Sequence, residues 1–170
     1  MKAIVIVDLQ RAFPVPAPLV ARIEARSRAF PLRVFTQFLN LKDSLFRRKL
    51  DRHSCPPGAR ESQLLLAPQP GDIVFKKPSY GLNAAQIQEL KQRHVTKALV
   101  CGVDSDACVL GVVFSLFDSG IDCEVDPSLC WSSSGLHQAA MQIIREQFGT
   151  ADEEAELAGV QAPGGEVGTS

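Results

Sequence analysis

Residues 98–109 read Ala-Leu-Val-Cys-Gly-Val-Asp-Ser-Asp-Ala-Cys-Val, and they carry the pattern from which the fold class is inferred. Its apolar start predicts a buried strand, its glycine and aspartates predict a turn, and the apolar residues from Val109 onward predict a helix. A strand that turns directly into a helix is the repeating unit of an α/β domain with a parallel sheet. Ser105 or Asp106 is the expected helix cap, which places Cys108 in the first helical turn.

The same alternation of short apolar and longer amphipathic stretches runs along the chain. Because the strand candidates are almost continuously apolar, we expect them to be covered on both faces. The predicted fold is therefore α/β: a three-layer, doubly wound, Rossmann-like parallel sheet of five to six strands with helices on both faces. Strands are predicted at residues 3–7, 32–36, 72–75, 98–101 and 122–125, with a sixth near Phe148, and helices at 19–30, 83–94, 106–119 and 134–148.

The chain of 170 residues is long enough for one domain, which we place at residues 1–150. Residues 37–70 are rich in proline and predict a long excursion with one short helix at 59–67; such loops are usually functional or subunit-forming. Residues 151–170 form a C-terminal extension, partly disordered, in which 153–160 could dock as a short helix and 163–170 are expected to be disordered.

Composition and charge exclude several classes of protein. Eighteen basic and nineteen acidic residues give a net charge of −1, which offers no bulk attraction to nucleic acid or to a membrane surface. No apolar run approaches the roughly 20 residues of a membrane span, and none resembles an export signal. The five cysteines lack paired spacing. We therefore expect reduced thiols and a cytoplasmic protein.

The predicted helix 106–119 is apolar almost all round, which is typical of a helix buried on every side. We expect it to pack between the sheet and another subunit, in a homo-oligomer that is a dimer or a tetramer. The alternative is that the excursion 37–70 covers it within one chain.

Ionisable residues are predicted at the carboxyl ends of three strands, where α/β sheets carry their sites. Asp8 follows the first strand, Lys76 and Lys77 end the third, and Cys108 lies beyond the fourth. Free N–H groups and the positive end of the helix dipole favour a thiolate at Cys108 and can also hold an oxyanion. Each residue alone has an ordinary structural explanation, but their convergence at one edge points to a cysteine nucleophile with a base and a cation.

Four segments together resemble the isochorismatase-like cysteine hydrolases, a superfamily that includes nicotinamidases and related amidohydrolases. Residues 4–13 are similar to the family's opening strand and Asp-x-Gln-x-x-Phe motif, and residues 34–40 to its second strand. Residues 77–80 resemble its Lys-x-x-Tyr element, and residues 102–109 its nucleophile turn. The match spans residues 1 to about 150 in the family's order and spacing.

The resemblance implies a role for particular residues. Asp8, Lys77 and Cys108 would form the catalytic triad, since the spacing to Tyr80 selects Lys77 over Lys76. The implied oxyanion hole consists of the backbone N–H groups of Asp104 and Cys108, beside a cis peptide bond between Val103 and Asp104. The substrate pocket is expected to include Phe13, Gln37, Asn40 and Tyr80.

The implied activity is a cysteine-dependent hydrolysis of the C–N bond of a small amide-like molecule through a thioester, with no cofactor. Metal-containing members carry Asp-x-His after the second strand, where this chain has residues 37–40 reading Gln-Phe-Leu-Asn. His53 alone is not a zinc site, so no metal is predicted. Residues 81–83 read Gly-Leu-Asn in place of the family's Ser-Ala-Phe, which removes an aromatic pocket wall.

Other functions stay open at this stage. The main alternative is a catalytically silent, hydrolase-like scaffold that binds a small metabolite or a regulatory partner. A phosphoryl-transfer role for Asp8 is weaker, because the chain has no glycine-rich phosphate loop and no second carboxylate for Mg²⁺. A redox role for Cys108 would need a resolving cysteine, and none lies nearby in the sequence.

Overall fold

Five apolar stretches form one parallel sheet in the computed structural model, which describes residues 1–149. The strand order is β3-β2-β1-β4-β5, and every neighbouring pair is parallel. The predicted fold class is therefore confirmed. The strands are β1 (Lys2–Val7), β2 (Leu32–Phe38), β3 (Ile73–Lys77), β4 (Lys97–Val103) and β5 (Asp122–Trp131).

Helices connect the strands and cover the sheet. Because parallel crossovers are right-handed, connections that run toward β3 and those that run toward β5 place their helices on opposite faces. No helix in residues 1–149 is long and apolar enough to cross a membrane. The α-helices are α1 (Ala17–Ser27), α2 (Leu45–Arg48), α3 (Ala84–Gln92), α4 (Leu110–Asp118) and α5 (His137–Phe148).

The central strand β1 decides where the core lies. Its residues from Ala3 to Val7 are fully buried, as expected for a strand with neighbours on both sides and helices on both faces. The strands beside it, β2 and β4, are almost as deeply buried. The order of strands reverses between β1 and β4, and in open α/β sheets ligands bind outside the carboxyl ends of the strands at this point.

Local side-chain and backbone chemistry fixes one end each of α3 and α4. Asn83 caps α3 in a capping box: its side chain accepts from the N–H of Gln86, whose side chain returns to the Asn83 N–H. Gly120 follows α4 with φ of 75° and donates its N–H to the Phe117 carbonyl. This left-handed conformation ends the helix and suits glycine.

The sixth strand predicted near Phe148 is wrong, because Phe148 is the last residue of α5. Its ring packs edge-to-face on Phe114 and Phe117 of α4. A short apolar run does not by itself distinguish a strand from the end of a buried helix.

The helix predicted at residues 59–67 is also wrong beyond its first turn. Only a 3₁₀ turn forms there (Arg60–Ser62), and the excursion's α-helix is instead α2. The residues that follow the 3₁₀ turn are extended because they pair with the chain beyond β1. The Arg11 N–H donates to the Gln63 carbonyl, and the Leu65 N–H donates to the Leu9 carbonyl.

The predicted helix 106–119 divides into a π-helical turn (Ser105–Val109) and α4. Within residues 1–149 it is not buried on every side, because Phe114 and Phe117 are 43% and 52% exposed. The excursion therefore does not cover these two residues. The homo-oligomer stays a prediction, and the predicted helix 153–160 and disorder at 163–170 lie outside the described residues.

Gly102 lies where β4 closely approaches the end of β1, and its substitution tests this contact. Its φ is 118°, and a Cβ built there would lie 2.2 Å from the Val7 carbonyl oxygen. We expect Gly102→Ala to lower the free energy of unfolding by about 3 kcal/mol or more, because backbone strain and overpacking add. Urea unfolding measures this loss.

Gly71→Ala is the matched control, since Gly71 has a φ of 96° with no atom within 4 Å of a built Cβ. It should lose about 1–2 kcal/mol from backbone strain alone. Equal losses in the two variants would show that contact with β1 is not what requires glycine at Gly102.

Candidate active site

The end of β1 fixes the position of Asp8. This residue has a φ of 45°, a left-handed conformation that aspartate tolerates better than most residues, and its side chain is fully buried. Its N–H donates to the Thr36 carbonyl at 3.2 Å, and its Oδ1 accepts from the Thr36 hydroxyl at 2.6 Å. The neighbouring strand β2 therefore holds one carboxylate oxygen and leaves the other for a second partner.

That second partner is Lys77, the last residue of β3. Its Nζ donates to Asp8 Oδ2 at 2.7 Å and to the carbonyls of Ser79 and Tyr80 at 2.9 and 3.1 Å. These acceptors match the three protons of an ammonium group. The Phe38 ring lies 5.7 Å from Nζ and adds a cation–π contact. Both charged side chains of this ion pair are fully buried.

The ion pair keeps Lys77 protonated. Burial by itself lowers the pKa of a lysine, but the Asp8 carboxylate and the Cys108 sulfur more than offset this. The pKa of Lys77 is therefore raised above its usual value, and the group is a fixed cation across the neutral range.

Cys108 completes the group from the other side of β1. The π-helical turn after β4 places its thiol, which is 9% exposed, against both Asp8 and Lys77. The sulfur of Cys108 interacts electrostatically with the Asp8 carboxylate and with the Lys77 ammonium. Burial raises the pKa of Cys108 well above its usual value, Asp8 raises it further, and Lys77 opposes the rise only in part. The resting group is a thiol with a carboxylate base beside it.

The backbone around Cys108 differs from an ordinary helix start. The peptide bond between Val103 and Asp104 is cis, at the position that the resemblance implies. The Asp104 carbonyl accepts from the N–H groups of Ala107 and Val109, the residues on either side of Cys108. The turn after β4 is thus wider than an α-helical turn.

The predicted cap at Ser105 or Asp106 is wrong, because Asp104 occupies the cap position and makes no side-chain cap bond. The Ser105 hydroxyl bonds instead with Nδ1 of His137 at 2.8 Å. The Asp106 carboxylate accepts from the hydroxyls of Ser132 and Ser134. Both side chains are thus bonded to residues that follow β5.

The structure thus brings Asp8, Lys77 and Cys108 together at the carboxyl edge of the sheet, beside the point where the strand order reverses. Lys76, the neighbouring lysine that the sequence offered, is exposed. The alternation along β3 explains the difference, because successive side chains of a strand point to opposite faces.

The predicted pocket residues are distributed differently. Tyr80 is 39% exposed and lines a cavity of about 760 Å³ together with Phe46, Leu45 and other residues of the excursion. Phe13 is partly buried in the turn after β1 and remains a predicted pocket residue.

Gln37 and Asn40, the two amides of the predicted pocket, form hydrogen bonds within the excursion. Gln37 donates to the Ser62 carbonyl. Asn40 is 1% exposed and donates to the carbonyls of Arg52 and Ser54. The polar atoms of Asn40 are thus bonded within the chain, and its place in the substrate pocket stays a prediction.

Two supporting residues were not singled out by sequence reasoning. One is Thr36, whose hydroxyl orients Asp8. The other is Gln10, fully buried, which donates to the carbonyls of Phe38 and Ser62 and accepts from the Phe38 N–H. The signal for both was a polar residue inside or directly after an apolar strand.

Residues 1–149 contain no group of three or more His, Cys, Asp or Glu side chains that could hold a metal ion. The positions of the family's metal motif carry Gln37 and Asn40, whose amides are bonded to carbonyls of the chain. His53 pairs with Asp51 in the excursion, where both are exposed. These residues do not fit a metal centre.

Comparison with known proteins agrees with this architecture. The isochorismatase domain model matches residues 2–155. An isochorismatase-like hydrolase from Alkaliphilus metalliredigens superposes with a TM-score of 0.76 at 16% identity, covering 92% of this chain and 98% of that one. Nicotinamidase from Bacillus subtilis gives 0.71 at 17% identity, covering 88% and 97%. N-carbamoylsarcosine amidase from Thermoplasma acidophilum gives 0.72 at 19% identity, covering 88% and 93%.

A search of curated protein sequences found no significant match. Because the family model covers most of the sequence, the chain belongs to the isochorismatase family of hydrolases. The structural similarities show the shared fold at low sequence identity.

Lys77 should be the most costly lysine to remove. Lys77→Met leaves the buried Asp8 carboxylate without its counter-ion, and we expect a loss of about 3–5 kcal/mol in the free energy of unfolding. Arg28→Met is the control, because both side chains of the Arg28–Glu24 pair are exposed and the pair should be worth about 0–1 kcal/mol. Adding Asp8→Asn to Lys77→Met should cost less than the sum of the single losses. Additive losses, measured by urea unfolding, would contradict direct coupling.

The raised pKa of Cys108 predicts its reactivity. The thiol becomes thiolate only as the pH rises through that pKa, so alkylation by iodoacetamide should be slow at pH 7 and should still be accelerating above pH 9. At pH 8 the rate should be lower than that of a free cysteine, because a raised pKa leaves a smaller fraction of thiolate. Peptide mass spectrometry follows Cys108 itself. A rate that levels off below pH 8 would mean that Lys77 outweighs burial and Asp8.

Proposed function

We propose that the protein is a cysteine-dependent hydrolase that cleaves the C–N bond of a small amide-like substrate through a thioester on Cys108. The observation that carries this proposal is the contact of one thiol with both members of a buried ion pair. Asp8 is a proton acceptor that interacts with the thiol, and Lys77 is a cation that favours the thiolate. A nucleophile, its base and the group that orients the base are the elements of covalent catalysis.

In the first half of the proposed reaction, Asp8 accepts the Cys108 proton while the sulfur bonds to the substrate carbonyl carbon. The carbonyl oxygen takes the electron pair of the C=O π bond, and the N–H groups of Asp104 and Cys108 stabilise the resulting oxyanion. As the oxyanion collapses, the C–N bond breaks and Asp8 returns the proton to the nitrogen. Ammonia or an amine leaves, and the acyl group remains on sulfur.

In the second half, a water molecule attacks the thioester carbon and gives a proton to Asp8. Collapse of this second oxyanion breaks the C–S bond, and the proton on Asp8 returns to the Cys108 sulfur. The product is a carboxylic acid, or a carbamic acid where the substrate is a carbamoyl compound. Neither half of the proposed reaction requires a cofactor.

Lys77 acts in this scheme through Asp8 and through sulfur. Its three fixed hydrogen bonds hold the ammonium in place, and its raised pKa keeps it charged throughout the cycle. The cation therefore holds the carboxylate in one orientation and favours the thiolate when Asp8 takes the proton.

Two structural relatives support a small amide-like substrate. A nicotinamidase acts on an aromatic amide and an N-carbamoylsarcosine amidase on a carbamoyl compound, and both share this fold. A net charge of −1 gives no bulk preference for a polyanion, which agrees with a small substrate.

The second candidate is a hydrolase-like scaffold that binds a metabolite or a regulatory partner without turnover. One observation favours it: the 760 Å³ cavity is bounded by the segment Pro78–Tyr80, and neither Asp8 nor Cys108 lines it. A ligand in that cavity would lie apart from the thiol.

Ammonia release from a panel of small amides and carbamoyl compounds distinguishes the two candidates. The wild-type protein should release ammonia from at least one of them, and Cys108→Ala should reduce turnover by at least about 10³-fold, since it removes the nucleophile. Cys123→Ala is the matched control, because Cys123 is also buried but its sulfur contacts the Val113 carbonyl away from the site. Turnover that persists in Cys108→Ala would refute the proposed mechanism. No turnover by the wild-type protein would favour the scaffold.

A further inference from the structure

Three consecutive serines after β5 bind the two carboxylates that precede Cys108. We call Ser132–Ser134 the serine turn. The N–H and hydroxyl of Ser133 donate to the two oxygens of Asp104 at 2.9 and 2.8 Å. The hydroxyls of Ser132 and Ser134 donate to the two oxygens of Asp106, the latter at 2.8 Å. Each carboxylate is thus held at both oxygens by the same short segment.

The residue between these aspartates is held as well. Ser105 is fully buried, and its hydroxyl bonds with Nδ1 of His137, the first residue of α5. Residues 104, 105 and 106 are therefore fixed one after another through their side chains. All of these contacts come from the segment between β5 and the first turn of α5, and no contact of this set involves Asp8 or Lys77.

The hydrogen bonds also keep a negative charge in place near the nucleophile. Burial raises the pKa of Asp106, but the hydroxyls of Ser132 and Ser134, its own backbone N–H and the charge of Arg52 together outweigh this effect. The pKa of Asp106 is therefore lowered below its usual value. An ionised Asp106 bound by two hydroxyls is a stronger anchor than a neutral one, because charge-assisted hydrogen bonds are stronger.

We propose that the serine turn is a positioning element for the oxyanion-binding N–H groups of Asp104 and Cys108. This inference rests on the proposed function, in which those two N–H groups receive the oxyanion. The Asp104 N–H belongs to a residue whose carboxylate Ser133 binds directly. The Cys108 N–H lies two residues after Asp106, whose carboxylate Ser132 and Ser134 bind. The thiol itself is held by a different set of contacts, those of Asp8 and Lys77.

This division of roles makes a distinctive prediction. Amide hydrolysis passes through an oxyanion, whereas alkylation by iodoacetamide displaces iodide at a saturated carbon and forms no oxyanion. Damage to the serine turn should therefore slow hydrolysis while leaving the pH dependence of Cys108 alkylation unchanged. A general loss of structure would change both.

The experiment compares Ser132→Ala/Ser133→Ala with wild type, using an amide that the wild-type protein hydrolyses. We expect kcat to fall by about 10–100-fold, less than the 10²–10³-fold cost of losing an oxyanion donor outright, because the N–H groups are displaced and not removed. KM should change by less than about threefold, since the ground state of the substrate makes little use of these groups. The alkylation profile of Cys108 should match wild type.

Two variants keep the test specific. Ser132→Thr/Ser133→Thr retains both hydroxyls and should keep kcat within about threefold of wild type. Ser128→Ala removes a serine–aspartate hydrogen bond of the same kind, to Asp126 on β5, and should leave kcat unchanged.

A kcat in Ser132→Ala/Ser133→Ala equal to wild type would overturn the positioning role. So would an alkylation profile that shifts together with kcat, because the turn would then act on the thiol or on the fold. If the wild-type protein hydrolyses no amide, the proposed function fails first, and the oxyanion role of the turn fails with it.

Discussion

The buried ion pair between Lys77 and Asp8 is the constraint on which the site depends. Two opposite charges with no solvent exposure are costly to bury and are tolerated only where hydrogen bonds satisfy the remaining atoms. Thr36 supplies one such bond to the carboxylate, and the carbonyls of Ser79 and Tyr80 supply two to the ammonium. The strand ends β1, β2 and β3 must therefore meet in one register. Cys108 is added to a charge arrangement that these strands already define.

The parallel sheet explains how residues so distant in sequence meet. Parallel strands end at the same edge, and reversal of the strand order beside β1 opens a crevice between β1 and β4. Gly102 lets the backbone of β4 approach Val7 closely at this edge. The wider turn after β4 then brings Cys108 back over Asp8, and the serine turn after β5 fixes that turn from its outer side. Residues at or near the carboxyl end of every strand, including Lys77 of β3, thus contribute to the site.

The features with a periodic or positional signal could be predicted from the sequence. All five strands were found because strands covered on both faces are continuous apolar runs, and the meeting of Asp8, Lys77 and Cys108 followed from their places at strand ends. The excursion was harder: Asn40 and Gln10 satisfy carbonyls up to 52 residues away, and such bonds leave no periodic trace. The strand expected near Phe148 failed because an apolar run of that length also fits a helix end. The three serines gave no sign of their partners, which lie 26–29 residues earlier in the chain.

The central claim is that hydrolysis passes through a thioester on Cys108, and trapping by hydroxylamine tests it most directly. A thioester partitions between water and hydroxylamine, so the wild-type protein with a hydrolysed amide should form the hydroxamate at the expense of the carboxylic acid. The rate of ammonia release should not fall, because the C–N bond breaks before the partition. Acid-quenched protein should carry the acyl mass on the peptide that contains Cys108. Ammonia release without any hydroxamate, together with an unmodified Cys108 peptide, would contradict the account.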